Sequence, residues 1–179
     1  MKEVVLNQKK FRISIPSSEI QLRISSLADQ INDDLRNREL VFVVILNGAF
    51  MFASDLYRQV TLHSRISFLK MASYQGTSSS GQIKQLIGLN EIIKGKTVVL
   101  VEDIVDTGHT LDSALKQLAS FEPAEIKIAS LLFKPDSYLY HYKIDYLGFS
   151  IPNDFIIGYG LDYDGYGRNL NSIYTIIHP

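Results

Sequence analysis

The sequence predicts an α/β fold, with a central, mainly parallel sheet flanked by helices and a small C-terminal β-rich hood. Three observations support this. The runs 40–46 and 97–101 are continuous, apolar and β-branched, the composition of strands buried on both faces. Segments of helical period alternate with such runs, which is the order of βα units in a parallel sheet. The polar turns after the strands, Asn47-Gly48 and Glu102 through Thr110, would gather at the strands' carboxyl ends, where such sheets bind ligands.

Each element has its own reason. Ile20, Ile24, Leu27, Ile31 and Leu35 recur at helical spacing after Pro16-Ser17-Ser18, which can start a helix. After the strand at 40–46, Asn47-Gly48 turns the chain into a helix over 49–60 that uses Phe52, Ala53 and Leu56. A strand over 65–71 leads to the small, polar stretch 72–82, which has the composition of a mobile loop. A more exposed strand over 83–89 returns from it. Beyond the buried strand at 97–101, Leu111, Ala114, Leu115 and Leu118 form one helical face. A strand over 126–133 follows, and 146–149, 155–159 and 172–177 are short β candidates. The last three do not repeat the βα pattern. They supply the expected hood, formed from about 145–179 together with the N-terminus, on a single domain spanning 1–179.

Composition excludes several classes. A formal net charge of -1 advertises no basic face for nucleic acid. The absence of cysteine rules out disulfides and thiolate metal sites. The N-terminal residues lack the apolar core of a signal peptide, and the best apolar run, 40–46, is far short of the ~20 residues a membrane helix needs. The expectation is a soluble, cytoplasmic protein that engages neither membrane nor nucleic acid.

The most informative stretch is Val98-Val99-Leu100-Val101-Glu102-Asp103-Ile104-Val105-Asp106-Thr107-Gly108-His109-Thr110-Leu111. A buried strand ends in two carboxylates, a third follows, and a turn of small residues opens a helix. Acids at the end of a buried strand are costly unless a cation or a polyhydroxyl ligand engages them. Small residues before a helix suit an anion at its N-terminus. The pattern points to a ligand carrying both hydroxyls and phosphates, with a metal ion between.

This stretch resembles the phosphoribosyl-pyrophosphate motif of the type I phosphoribosyltransferases, and more narrowly that of the hypoxanthine-guanine phosphoribosyltransferases. The resemblance extends from Leu46-Asn47-Gly48 through Ser73-Tyr74 and Lys134 to Asp162 and Arg168, in the family's order. It implies the type I phosphoribosyltransferase fold and a Mg2+-dependent transfer of phosphoribose to N9 of a 6-oxopurine. The product would be IMP or GMP, a purine-salvage role.

The resemblance also implies roles for individual residues. Glu102 and Asp103 would hold the ribose hydroxyls, directly or through Mg2+. Ile104, Val105, Asp106, Thr107, Gly108, His109 and Thr110 would wrap the 5-phosphate, and Asp106 would also serve as general base toward N7. Asn47 and Gly48 occupy the family's Leu-Lys-Gly turn, where the peptide before the second residue can be cis and turns an N–H toward pyrophosphate. Arg168 would contact pyrophosphate, and Asp162 would hold a second magnesium. Ser73-Tyr74 would open a lid. Lys134 would donate to the 6-oxo group, Phe155 would stack on the purine, and Ile156 and Asp162 would help form the base site. Asn47 and His109 depart from the family's usual residues. A homodimer or homotetramer is implied as well. Two other readings stay open: transfer to another base (xanthine, adenine or a pyrimidine), and a non-catalytic RNA-binding regulator on the same fold.

Overall fold

The computed structural model describes residues 3–73 and 83–177. Its larger sheet has six strands in the order β5-β4-β3-β6-β7-β8. These are β3 (Leu40–Leu46), β4 (Ser64–Ser73), β5 (Ile83–Ile87), β6 (Thr97–Val105), β7 (Glu125–Phe133) and β8 (Tyr146–Ser150). All neighbours are parallel except β4 and β5. The predicted mainly parallel α/β sheet is therefore present.

Alternate residues of the central strands face opposite layers, as strand geometry requires. Phe42, Val44, Val99, Val101, Ala129 and Leu131 pack beneath α1 (Ser17–Asp34) and α2 (Phe50–Tyr57). Val41, Val43, Ile45, Val98, Leu100 and Ile128 pack against Leu111, Ala114 and Leu118 of α3 (His109–Ala119). The apolar runs lack a polar alternation because both faces are covered.

A smaller antiparallel sheet forms the hood, in the order β1-β2-β10-β9. Its strands are β1 (Glu3–Leu6), β2 (Lys9–Ile15), β9 (Ile156–Ile157) and β10 (Ile173–Ile176), around a core of Phe11, Ile157 and Tyr174. The β1–β2 hairpin turns through Asn7 and Gln8, both at positive φ (44° and 67°). Phe11, Ile13 and Ile15 carry its period-2 signal, short and flanked by charges.

Three expectations need correction. Residues 146–149 were expected in the hood, but β8 joins the large sheet, with Tyr146 opposite Ala129 in parallel register. The crossover from β7 contains only a 3-10 turn, Pro135–Ser137, so the sequence shows no helix to reveal the parallel pairing. Arg23 of α1 donates to the carbonyls of Leu147 (2.5 Å) and Gly148 (2.9 Å), fixing β8 at the sheet edge. The strand expected over 155–159 shrinks to Ile156–Ile157 because Gly158, Tyr159 and Gly160 all take positive φ (99°, 48° and 102°), which no strand tolerates. The helix expected over 49–60 also ends early, at Tyr57. No helix of the described residues is long and apolar enough to cross a membrane.

Leu100 lies at the centre of the sheet with no exposed surface. Leu100→Ala is expected to lower unfolding free energy by about 2–5 kcal/mol, the cost of lost burial plus a residual cavity. Urea denaturation checks this; a change below about 1 kcal/mol would mean the site collapses freely.

Candidate active site

β6 outruns its neighbour β3. The last β3–β6 pair is Val44 with Val101, whereas β6 stays paired to β7 as far as Val105 with Phe133. Glu102 and Asp103 therefore leave the sheet on the β3 side, where the Asn47-Gly48 turn begins. The Leu46–Asn47 peptide is cis. The Asp103 carboxylate fills the space above Gly48, and a Cβ built there would lie 1.7 Å from Asp103 Oδ2. A side chain at 48 would displace the acid.

Both acids are held against their preference. Glu102 is 6 % exposed, and among the described residues its Oε2 has no hydrogen-bond partner. Burial, reinforced by the neighbouring Asp103 charge, pushes its carboxyl well above the usual range. Burial also raises Asp103, to about 6, against the Ile104 N–H that donates to it at 3.0 Å and the attraction of Arg168. Asp162 adds a smaller repulsion.

These observations suit Mg2+. Both donors are hard carboxylate oxygens, and one is buried without a partner. Among the described residues no three His, Cys, Asp or Glu groups cluster as a complete protein cage.

Beyond the acids the chain wraps a cavity of about 280 Å3 lined by residues 102–111. Gly108, at φ 90°, caps α3, and among the described residues no side-chain cap hydrogen bond closes its first turn. The helix's first N–H groups are thus open to an anion. Val105 is buried and Ile104 packs against the core, so only their backbones remain for a phosphate. Thr107 and Thr110 are exposed. Asp106 is partly exposed, and Lys134 Nζ donates to its Oδ2 at 2.9 Å. The Lys134 side chain is otherwise enclosed, and its backbone N–H donates to Val105 O at 2.9 Å.

The hood closes the other side. Arg168 donates to Gly160 O at 2.7 Å and pairs with Asp162 Oδ1 at 2.6 Å. Gly165 N–H occupies Asp162 Oδ2 at 2.7 Å. Gly160 sits directly on the turn, since a Cβ added there would be 2.0 Å from Gly48 O. Phe155 is 44 % exposed, with its ring 5.6 Å from Tyr163 and 6.3 Å from Phe11. Ile156 is buried in β9. Ser73 ends β4, while Tyr74 and the rest of the expected lid lie outside the described residues.

The residues singled out in sequence thus form two groups. Gly48, Asp103, Asp162 and Arg168 converge where the hood meets the sheet, and Asp106 pairs with Lys134 beside the phosphate-sized cavity. Two features escaped the sequence reading. Tyr138, Tyr140 and Tyr142 cross the start of α3, and Tyr159 bonds to Asp55 beneath the hood. The alternation of the three tyrosines was the available signal for the first.

Comparison with known proteins decides the family. A phosphoribosyl transferase domain model matches residues 16–164. The chain belongs to the phosphoribosyltransferase family. It is 39% identical over 171 residues to a hypoxanthine-guanine phosphoribosyltransferase of Mycobacterium avium, covering 92% of this chain and 84% of the relative. It is 38% identical over 168 residues to a hypoxanthine phosphoribosyltransferase of Escherichia coli K12, covering 92% and 94% of the two. A crystal structure of a Staphylococcus aureus hypoxanthine phosphoribosyltransferase superposes with a TM-score of 0.88 at 35% identity, over 99% of this chain and 98% of that one. The phosphoribosyltransferase fold accounts for the sheet, the acid-ended β6 and the hood together.

Asp103 carries a measurable consequence. Its native carboxyl titrates near 6 against an ordinary 3.8, so the folded state loses stability as pH rises between those values. Without divalent metal, Asp103→Asn is expected to be more stable than the parent at pH ~8, and the gap should close as pH falls below ~4. Denaturation curves across pH with a chelator check this; a gap independent of pH would count against it.

Proposed function

We infer that this phosphoribosyltransferase transfers phosphoribose from 5-phosphoribosyl 1-pyrophosphate to N9 of a 6-oxopurine, hypoxanthine or guanine. It releases pyrophosphate and forms IMP or GMP, in purine salvage. The observation that carries the choice of base is the Lys134–Asp106 pair at 2.9 Å. A 6-oxopurine presents an acceptor, O6, beside N7, which carries a proton in one tautomer. A donor-only ammonium next to an acceptor carboxylate matches that edge. Adenine's 6-amino group would face the ammonium donor to donor.

The reaction breaks the C1–pyrophosphate bond and forms the N9–C1 bond. As N9 attacks, positive charge grows on the purine, and Asp106 accepts the proton from N7. Asn47 and Gly48 hold the pyrophosphate through their backbone, and Arg168 offsets its charge. Glu102 and Asp103 bind the ribose hydroxyls and would hold Mg2+, which would supply charge neutralisation to the leaving group. Asp162 would hold a second ion. The N-terminus of α3, with Thr107 and Thr110, holds the 5-phosphate. Phe155 stacks on the base, Ile156 reads its edge through the backbone, and Ser73-Tyr74 leads into the lid. The working state is a cytoplasmic homodimer or homotetramer.

The test mixes phosphoribosyl pyrophosphate and Mg2+ with hypoxanthine, guanine, xanthine, adenine and uracil in turn. Turnover confined to adenine or uracil would overturn the base assignment. Asp106→Asn is expected to lower kcat about 100-fold or more with KM nearly unchanged, as for loss of a general base. Steady-state kinetics check this, and unchanged kcat would remove the role. Lys134→Met is expected to lower kcat/KM for hypoxanthine about 10- to 100-fold, the worth of a charged hydrogen bond. The same variant should narrow the preference over adenine.

A further inference from the structure

The tyrosines that cross the start of α3 carry a consequence for the phosphate site. Tyr138 and Tyr140 lie against Gly108, where an added Cβ would meet their rings at 2.6 and 2.8 Å. Tyr140 stacks on Tyr142, with ring planes 17° apart. Its hydroxyl lies 2.9 Å from His109 Nδ1, and its ring meets the imidazole edge-on. His109 is the first residue of α3 and lines the cavity assigned to the 5-phosphate. Engagement of Nδ1 by Tyr140 leaves Nε2 as the nitrogen for a ligand.

We propose that Tyr140 is a positioning residue that fixes the tautomer of His109, so that Nε2–H donates to the 5-phosphate whether the imidazole is neutral or charged. The proposal rests on the phosphoribosyltransferase reading of residues 106–110. A phenol donating to Nδ1 places the neutral ring's single proton on Nε2. When the ring is protonated, Nδ1–H donates to the phenol oxygen instead, and Nε2 still carries a hydrogen. Without the hydroxyl, a neutral His109 can place its proton on Nδ1 and turn a lone pair toward the phosphate. The hydroxyl therefore decides which nitrogen carries the proton only while the imidazole is neutral.

The charged neighbours do not share that pH signature. Asp112, one turn along α3, accepts from Lys116 at 2.8 Å and from Tyr142 at 2.8 Å. Those bonds hold its carboxyl below the usual range, so it stays ionised. Lys116 is correspondingly raised and stays charged. Tyr138 and Tyr142 are raised and stay neutral. Asp106 lines the same cavity, and Lys134 is bonded to it.

The test uses ribose 5-phosphate as the probe and calorimetric Kd as the readout, so it does not depend on turnover. At pH ~8.5, Tyr140→Phe is expected to weaken binding about 3- to 10-fold, the worth of a neutral hydrogen bond. At pH ~5.5 the penalty should fall within about 2-fold, since the protonated ring donates regardless. The phosphate also loses its second proton between these pH values, and a penalty that tracked its charge rather than the imidazole would persist when His109 is replaced by Ala. In a His109→Ala background, adding Tyr140→Phe should change Kd no further at either pH. A penalty equal at both pH values, or one that persists in that background, would mean Tyr140 only shapes the loop and would overturn the proposal. Thermal melts of Tyr140→Phe, which keeps the ring contacts, separate misfolding from either result. If the parent protein bound ribose 5-phosphate but turned over no base, the functional reading would fail while the tautomer role stood. If the parent did not bind it, the proposal would fall with the phosphate site.

Discussion

Glu102 and Asp103 end a strand whose preceding residues are sealed from water, and this placement organises the rest of the site. β6 must lie at the centre of the sheet to bury Val98 through Val101 on both faces. Its carboxyl end therefore emerges between other strands rather than into bulk solvent. Ionising two adjacent carboxyls there is opposed first by burial and then by their mutual repulsion. The neighbouring structure offsets part of that cost. The Ile104 N–H and Arg168 both favour the Asp103 anion, and the small residue at 48 gives the carboxylate room. Among the described residues Glu102 Oε2 has no partner, and on the proposed function it would face a cation. The described protein groups therefore satisfy these charges only in part.

The hood must be registered against that strand end, and a polar link adds direction to the apolar packing of Ile15, Ile156, Leu161 and Ile173 on the main core. Tyr159 is enclosed between two glycines at positive φ, and its hydroxyl donates to Asp55 of α2 at 2.5 Å. Gln21 of α1 donates to the same carboxylate oxygen at 2.7 Å. Gly160, the next residue, rests on the Gly48 carbonyl, and Arg168 is bonded to Gly160. One buried phenol therefore ties the arm that bears Asp162 and Arg168 to the helix that follows the Asn47-Gly48 turn. A larger residue at 160 would lift the arm from that turn.

The large sheet was legible because its physics is local. β3 and β6 are apolar on both faces, and the intervening helices have clear periods. β8 was misassigned because its parallel partner is reached without a helix, so nothing local marks the pairing. The β1–β2 hairpin left only three alternating apolar residues between charges. The strand end at Glu102 and Asp103 and the Gly108 turn into α3 were legible because an apolar run that breaks into carboxylates and small residues marks a strand end and a helix start. The His109–Tyr140 pair was not, since it joins residues 31 apart through a loop that carries no motif.

The Lys134–Asp106 pair shows how a largely buried lysine can be kept ready for a ligand. An ammonium enclosed by the sheet end would be unstable without an acceptor, and Asp106 supplies one at 2.9 Å. On the proposed function, an incoming 6-oxopurine would offer its carbonyl to the ammonium and its N7 proton to the carboxylate. Each member of the pair would gain a ligand bond on the edge where the two atoms are neighbours. The enclosed ammonium would then not be stranded during the exchange, so base binding would avoid the penalty of leaving it unpaired. A base with a donor in place of the carbonyl would leave the ammonium without that compensation. On that reading, the interaction that steadies Lys134 would also set the preference for a 6-oxo group.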